Sequence, residues 1–320
     1  MKMILRVCLF ALFSVSAGAL VAGELVGTEA VRERLYPNVV EPERIIGGYG
    51  SRPSEFLQIR KVVFRDNQRF YVSDCGANRI QEFNVSGELL STISHECPGD
   101  IAVSGRYLAV LSDLTGTVSL YENSGKFVRA WKVPRHGDKR VAAIAADASH
   151  IIVAPQYGGQ LVVFDLYGRT LRHIDVPPIA RVSGAVAAGN DIFLTDKFGA
   201  RIYAINMHSG KVRHFGEFGT YAGEMANPHG IDVKNGKVYV VDTVNHRVQQ
   251  FDESGAYRLQ FGRHPVTPNE IGSGRMHYPH HIAVTPDGKW AVVCEPFESR
   301  CNLFLTGKVE QKYTSSSESA

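Results

Sequence analysis

The fold is decided by two neighbouring stretches, Gly223-Glu-Met-Ala-Asn-Pro-His-Gly-Ile-Asp-Val233 and Lys237-Val-Tyr-Val-Val-Asp-Thr-Val-Asn-His-Arg-Val-Gln-Gln-Phe-Asp-Glu-Ser-Gly255. In the second stretch, the runs Lys237–Val241 and Arg247–Phe251 are rich in β-branched and aromatic residues, as is typical of β-strands. The closing Ser-Gly supplies the positive φ that a tight turn requires. The stretch therefore predicts two short strands and a turn into a further strand.

Five weaker copies of this pattern occur along the chain. They cover Phe70–Gly87, Leu108–Gly125, Ile151–Gly168, Ile192–Gly210 and Trp290–Gly307. The closing glycines, Gly255 included, follow one another at intervals of 38, 43, 42, 45 and 52 residues. Six units of about 40 residues, each with room for four short strands, are typical of a β-propeller rather than of a helical solenoid.

The segment Asn245-His-Arg-Val248 carries a family resemblance, because it resembles the signature of the NHL repeat. The resemblance covers about residues 43–313 and implies an all-β, six-bladed β-propeller of NHL-type repeats. Glu43–Gly50 looks like an outer strand with no preceding blade. We expect this N-terminal strand to pair with the last blade and close the ring, which leaves no exposed sheet edge.

The two ends of the chain lack the repeat pattern. In residues 1–23, Lys2 and Arg6 precede the apolar run Val7–Val21, a pattern that predicts a cleaved signal peptide and a secreted, extracellular protein, or a periplasmic one in a bacterium. We expect no stable insertion in a membrane. Residues 24–42 form a leader of unknown structure, and the Ser-rich residues 314–320 predict a disordered tail.

The charge balance argues against a nucleic-acid partner. Removal of residues 1–23 would take away two bases and no acids, so the formal net charge of +3 would fall to +1. A nearly neutral chain lacks the basic surface that nucleic-acid binding needs. The expected partner is an extracellular protein, a peptide or a small-molecule ligand.

Four cysteines remain after the leader, Cys75, Cys97, Cys294 and Cys301, and an even number in an oxidising compartment predicts disulfides. Three pairings are open, of which Cys75–Cys97 and Cys294–Cys301 is the simplest. The spacing lacks the C-x-x-C pattern of a four-cysteine metal site. Asn84-Val-Ser86 is a sequon, which predicts a glycoprotein if the host is eukaryotic.

Histidines are placed where each blade of a propeller leads into its innermost strand. We call this the lead-in segment; it lies on the face of the disk around the channel mouth, where propellers usually bind. Pro228-His229 and Pro279-His280 occupy equivalent positions in adjacent blades. Imidazoles converging there would bind zinc or calcium, with His136 or His281 as a third ligand. The alternative is that histidine merely fills a variable position in the Pro-x-Gly motif of these segments. His246 differs from them, because the NHL pattern places it in a turn, where we expect a structural role.

Acidic side chains recur at one position of the repeat: Asp74, Asp113, Asp196, Asp242 and Glu295. Such a set resembles a catalytic cluster. Its repetition at a strand end instead favours a structural role, since a short carboxylate there accepts N–H groups of the turn.

Two functions follow from these observations, and the sequence leaves open whether the chain is an enzyme. The first is an extracellular recognition module that binds through its channel face, which needs nothing beyond the fold. The second rests on a more distant resemblance to the peptidyl-hydroxyglycine amidating lyase, a secreted six-bladed propeller with histidine-bound zinc. That resemblance implies His229 and His280 as zinc ligands. The chain departs from it by lacking a clear third histidine motif and the lyase's His-Arg-Gly-Asp stretch.

Overall fold

The structure, a computed structural model, describes residues 39–112, 114–134, 141–265 and 273–317. The predicted signal peptide, most of the predicted leader, Asp113, His136 and residues 318–320 lie outside the described residues. In the described part, almost every regular element is a short β-strand. No helix there combines the length and the apolar character needed to cross a bilayer.

Five blades are antiparallel sheets of four consecutive strands, numbered from the channel outwards. Blade one contains β2 (Ile59–Phe64), β3 (Arg69–Asp74), β4 (Arg79–Asn84) and β5 (Leu89–Ser94). Blade two contains β6 (Ile101–Ser104), β7 (Tyr107–Ser112), β8 (Thr117–Glu122) and β9 (Phe127–Lys132). Blade three contains β10 (Val141–Ala146), β11 (His150–Pro155), β12 (Gln160–Asp165) and β13 (Thr170–Asp175).

The remaining strands complete the ring in the same order. Blade four contains β14 (Val182–Ala188), β15 (Asp191–Asp196), β16 (Arg201–Asn206) and β17 (Val212–Phe215), and the short parallel pair β18 (Glu217–Phe218) and β19 (Glu224–Met225) follows it. Blade five contains β20 (Pro228–Lys234), β21 (Lys237–Asp242), β22 (Arg247–Asp252) and β23 (Tyr257–Phe261). Blade six contains β24 (His281–Val284), β25 (Trp290–Glu295) and β26 (Arg300–Leu305).

The N-terminal strand closes the ring, as the sequence predicts. Strand β1 (Arg44–Gly47) pairs antiparallel with β26, with Arg44 opposite Leu303 and Gly47 opposite Arg300, and so supplies the outer strand of blade six. Ile46 is buried in one cluster with Leu303. The innermost strands contact one another in the order β2, β6, β10, β14, β20 and β24, and β24 contacts β2. The molecule is therefore a closed six-bladed β-propeller.

Most of the predicted turn glycines are confirmed, because Gly87, Gly125, Gly168, Gly210 and Gly255 all have positive φ. The exception corrects the prediction for Gly307. It lies in helix α1 (Thr306–Ser317) rather than in a turn between strands. The physical reason is that β1 already occupies the outer edge of blade six, so the chain leaving β26 has no fourth strand to form.

Helix α1 also corrects the boundary of the predicted disordered tail. Residues 314–317 are helical, whereas the composition predicted disorder from residue 314 onwards. The helix is held by packing of its first turns: Val309 is buried and Tyr313 packs against the same cluster as Phe261 and Phe304. The tertiary contact therefore overrides the polar composition of this segment.

Candidate metal and ligand site on the channel face

Two lead-in segments carry the histidines of the site. His229 is the second residue of β20, whereas His280 directly precedes β24 and His281 begins it. Each segment starts with a residue in the left-handed region before a proline, Asn227 with φ 55° and Tyr278 with φ 48°. A left-handed non-glycine residue is sparsely populated and persists only where its surroundings fix it, which is common at functional sites.

Close backbone packing brings these two segments together. A Cβ at Gly230 would lie 2.6 Å from the carbonyl oxygen of His280 and 2.9 Å from the Cα of His281, so glycine is needed at this contact. The hydroxyl of Thr195, which is fully buried, donates to the carbonyl of His229 over 2.8 Å. The hydroxyl of Thr243 donates in the same way to the carbonyl of Pro279 over 2.8 Å.

The three imidazoles form one cluster. One ligand nitrogen from each of His229, His280 and His281 lies within 4.8 Å of the others. The rings of His229 and His280 are stacked with centroids 4.5 Å apart, and His281 meets His229 edge-on at 5.2 Å. The described residues contain no other group of three or more histidine, cysteine, aspartate or glutamate side chains this close together.

Burial keeps these imidazoles neutral. Desolvation is the main cause that lowers the pKa of His280 to about 4, and it holds the pKa of His229 and of His281 well below the ordinary value. The neighbouring histidines and Lys197 add repulsion to the same effect. Neutral imidazole is the form that coordinates a metal. The Nδ1 atom of His229 is buried without a hydrogen-bond partner, and a bound metal ion or ligand would satisfy this nitrogen.

A cavity of about 410 Å³ opens beside the histidines. Its lining among the described residues includes the basic side chains Arg60, Lys61, Arg181 and Lys197 and a single carboxylate, Asp100. Lys61 forms a buried ion pair with Asp100 over 3.2 Å. The lining is thus electropositive, and its volume suits a small molecule.

The structure unites three of the four histidines that the sequence proposed as ligands. His229, His280 and His281 meet, whereas His136 lies outside the described residues. His246 lies in the turn between β21 and β22 with φ 57°, and its Nδ1 accepts the N–H of Tyr278. It bridges two blades as a structural residue.

The repeated carboxylates accept backbone N–H groups, as expected of structural caps. Asp74 accepts from Leu57 and Gln58, and Asp196 accepts from Ala180, Arg181 and Gly199. The remaining two follow the same rule: Asp242 accepts from Ala226, and Glu295 accepts from His277. Asp113 lies outside the described residues. Its predicted place in the set is wrong, because Ser112, opposite Thr117, holds the position that Asp74 holds opposite Arg79, and Asp113 is one residue later.

The cysteines form the simplest of the three pairings, Cys75–Cys97 and Cys294–Cys301. The second disulfide joins facing residues of β25 and β26. Asn84 remains a predicted glycosylation site. Its side chain accepts the N–H groups of Ser86 and Glu88 within a turn.

Sequence reasoning missed Lys197 and Phe297, which also line the cavity. Lys197 directly follows Asp196, and Phe297 lies two residues after Glu295. A side-by-side alignment of the six loops that follow the second strands would have found both residues.

The comparison with protein families agrees with this architecture. The family model described as NHL repeat matches residues 225–251, which span most of the stretch that decides the fold. The chain is a six-bladed β-propeller, and residues 225–251 match the NHL repeat.

Curated relatives match this propeller over short segments. Protein brain tumor of Drosophila melanogaster is 36% identical over 84 residues, which are 25% of this chain and 7% of that protein. The B-box type zinc finger protein ncl-1 of Caenorhabditis elegans is 45% identical over 47 residues, which are 14% of this chain and 6% of that protein. The match therefore spans less than a tenth of either relative.

Solved structures resemble the whole ring. A streptogramin B lyase has a TM-score of 0.59 at 15% identity, with 82% of this chain and 97% of that chain covered. A Bacteroides thetaiotaomicron protein of unknown function has a TM-score of 0.65 at 14% identity, with coverage of 83% and 73%. The virginiamycin B lyase of Staphylococcus aureus has a TM-score of 0.53 at 16% identity, with coverage of 78% and 84%. At these identities the likeness shows the fold alone.

Proposed function

We propose that the channel face binds a divalent transition-metal ion through His229, His280 and His281 and acts as a metal-dependent lyase on a small ligand. The observation that carries the proposal is the convergence of three neutral imidazoles within 4.8 Å at the wall of a cavity. Three protein ligands with room for a further one are the arrangement of catalytic zinc sites, whereas structural zinc sites are closed by four. An all-nitrogen ligand set favours zinc over calcium, which prefers oxygen.

The residues of the chain have distinct tasks in this proposal. His229, His280 and His281 would hold the ion, which supplies Lewis-acid polarisation of a substrate oxygen when bound. Lys197 and Arg181, on the wall formed by blade four, orient an anionic group of the substrate. Phe297, whose ring centroid lies 5.8 Å from that of His280, restricts the access of water to the cavity. The lyases among the similar structures fit this proposal but do not carry it.

Metal analysis of the purified mature chain tests the site. We expect about one zinc ion per chain after purification without chelator, and His229→Ala should lose most of it because two imidazoles leave too few ligands for tight binding. His208→Ala is the matched control, since His208 is exposed in a turn of blade four away from the cluster. Absence of stoichiometric metal, or equal metal in both variants, would exclude the metal site.

A second candidate is the recognition module, which would bind an extracellular protein, peptide or small molecule without catalysis. Exposed apolar side chains around the channel mouth favour it, because such patches mark interaction sites. The two disulfides are consistent with an oxidising compartment, and we propose export through the predicted signal peptide. N-terminal sequencing of secreted protein should find a start near Leu20 or Glu24. Recovery of the intact chain on membranes alone would contradict export.

A further inference from the structure

The loop between the second and third strands has four residues in every blade. By chain numbering these are residues 75–78, 113–116, 156–159, 197–200, 243–246 and 296–299, of which residue 113 lies outside the described part of the chain. Five of them place an exposed apolar side chain at their second position: Leu114, Tyr157, Phe198, Val244 and Phe297. Their exposed fractions run from 43% for Val244 to 70% for Phe297. We call these five residues the apolar ring, since the loops that carry them surround the channel mouth.

The apolar ring is open at blade one, where the equivalent residue is Gly76. A Cβ at Gly76 would lie 2.7 Å from the Cβ of Leu57, so no larger side chain fits there without displacing its neighbour. An extended apolar ligand would meet five side chains of the apolar ring and a gap over blade one.

Uncompensated positive charge lies beside one member of the apolar ring, Phe198. Among the described residues, neither Lys197 nor Arg181 forms an ion pair, whereas Lys61 is paired with Asp100. The nearest acid in sequence, Asp196, is committed to backbone N–H groups. The guanidinium of Arg181 and the ammonium of Lys197 lie 5.8 Å and 6.0 Å from the ring centre of Phe198, so both charges adjoin this member of the apolar ring.

Lys197 is held in an unfavourable environment. Burial lowers the pKa of Lys197, and repulsion from Arg181 lowers it further. A half-buried ammonium beside a second cation is stabilised when an anion binds between them. Among the described residues that line the cavity, the same anion would meet no competing carboxylate, because Asp100 is paired with Lys61.

We infer that the ligand of the channel face is an amphipathic carboxylate, whose carboxylate group binds Lys197 and Arg181 and whose apolar body packs on the apolar ring. This inference deepens the proposed function, on which it rests for the use of the same cavity. The cations are recessed in a cavity of about 410 Å³, which suits one anionic group at the end of a small molecule rather than a polyanionic backbone. The apolar ring fits the remainder of the ligand because it provides apolar contact area above the charge.

Calorimetric titration of the mature protein tests the inference with two matched pairs of probes, below the concentration at which the probes aggregate. Decanoate and decanamide differ only in the anionic group and represent an acyl-chain ligand. N-Acetylphenylalanine and its amide differ in the same way and represent the carboxyl end of a peptide. We expect at least one carboxylate to bind ten-fold or more tightly than its amide, and the pair that does so identifies the source of the carboxylate.

Variants separate this inference from the metal site. Lys197→Met should weaken carboxylate binding at least ten-fold, and Phe198→Ala should weaken it several-fold. Lys211→Met and Tyr167→Ala are the matched controls, because both residues are exposed in turns between third and fourth strands, on the opposite face. The titrations use chelator-treated protein, so carboxylate binding is measured without metal. A failure of the zinc site, tested by His229→Ala, therefore leaves the test of Lys197 unaffected.

Three results would overturn the inference. The first is equal affinity for each carboxylate and its amide, and the second is unchanged binding in Lys197→Met. The third is salt-sensitive binding of a single-stranded RNA oligonucleotide that Lys197→Met abolishes. That result would assign the cations and aromatic residues to nucleic acid, because stacking aromatics beside basic residues also suit single strands.

Discussion

Gly230→Ala tests whether the packing of blade five on blade six builds the histidine cluster. Gly230 does not have a positive φ, so alanine is acceptable to the backbone at this position. The cost arises from contact alone: the new Cβ would lie 2.6 Å from the carbonyl oxygen of His280, roughly 0.8 Å closer than the 3.4 Å of ordinary contact. The obstacle is backbone, which cannot rotate away as a flexible side chain does.

Two effects of this substitution can be estimated. Overpacking of this kind costs about 1–3 kcal/mol of stability. A shift of His280 and His281 by several tenths of an ångström exceeds the tolerance of about 0.2 Å in metal–ligand distances, so zinc affinity should fall at least about ten-fold. Denaturant unfolding measures the first effect, and competition with a zinc-binding dye measures the second.

Gly307→Ala is the matched control for this experiment. Gly307 lies in helix α1, and a Cβ added there would have no atom within 4 Å, so alanine should be neutral or stabilising by up to about 1 kcal/mol. Zinc affinity should not change in this variant. Wild-type stability and zinc affinity in Gly230→Ala would refute the role assigned to the close packing of blades five and six.

Two further predictions concern stability. Deletion of Glu43–Gly50 should lower the melting temperature of the whole domain, because β26 would lose its outer partner strand. In the same strand, Ile46→Ala should lower the free energy of unfolding by about 2–5 kcal/mol, whereas Ile45→Ala, at a 44% exposed position, should lower it far less. Equal losses in the two variants would contradict closure of the ring by β1. For His246, burial lowers the pKa to about 4 in the folded state, below an unfolded value near 6.5, so its contribution is present above pH 6.5 and is lost as the pH falls towards 4. The free energy of unfolding of His246→Asn should therefore fall less between pH 7 and pH 4.5 than that of the wild type, and parallel curves would contradict this assignment.

The propeller could be predicted from the sequence because its determinants are local and repeated. The turn glycines mark each passage from third to fourth strand, and Glu43–Gly50 is recognisable as a strand without a blade. The prediction for Gly307 was wrong because the determinant of its conformation is not local. Its place in the repeat pattern is regular, but the partner strand that excludes a turn there comes from the other end of the chain.

The histidine cluster was only partly predictable. The equivalent Pro-His positions indicated His229 and His280, since equivalent positions of adjacent blades lie side by side. The motif did not decide between His281 and His136 as the third ligand, because adjacent residues of a regular strand, such as His280 and His281, point to opposite faces. His281 joins His280 because His280 precedes β24 and follows the left-handed Tyr278, so the alternation of the strand does not yet apply.

The repeated acids explain why the site is rich in nitrogen and cations. Each described carboxylate of that set is bound by N–H groups at the approach to the innermost strand, as Asp196 is by Ala180 and Arg181. These carboxylates are therefore unavailable as metal ligands and as partners for the bases of the cavity. The cavity is thus lined by three imidazoles, by the Lys61–Asp100 pair and by further bases that include the uncompensated Lys197 and Arg181. The same repetition that stabilises the blades thus selects a metal that accepts nitrogen ligands and a ligand that carries negative charge.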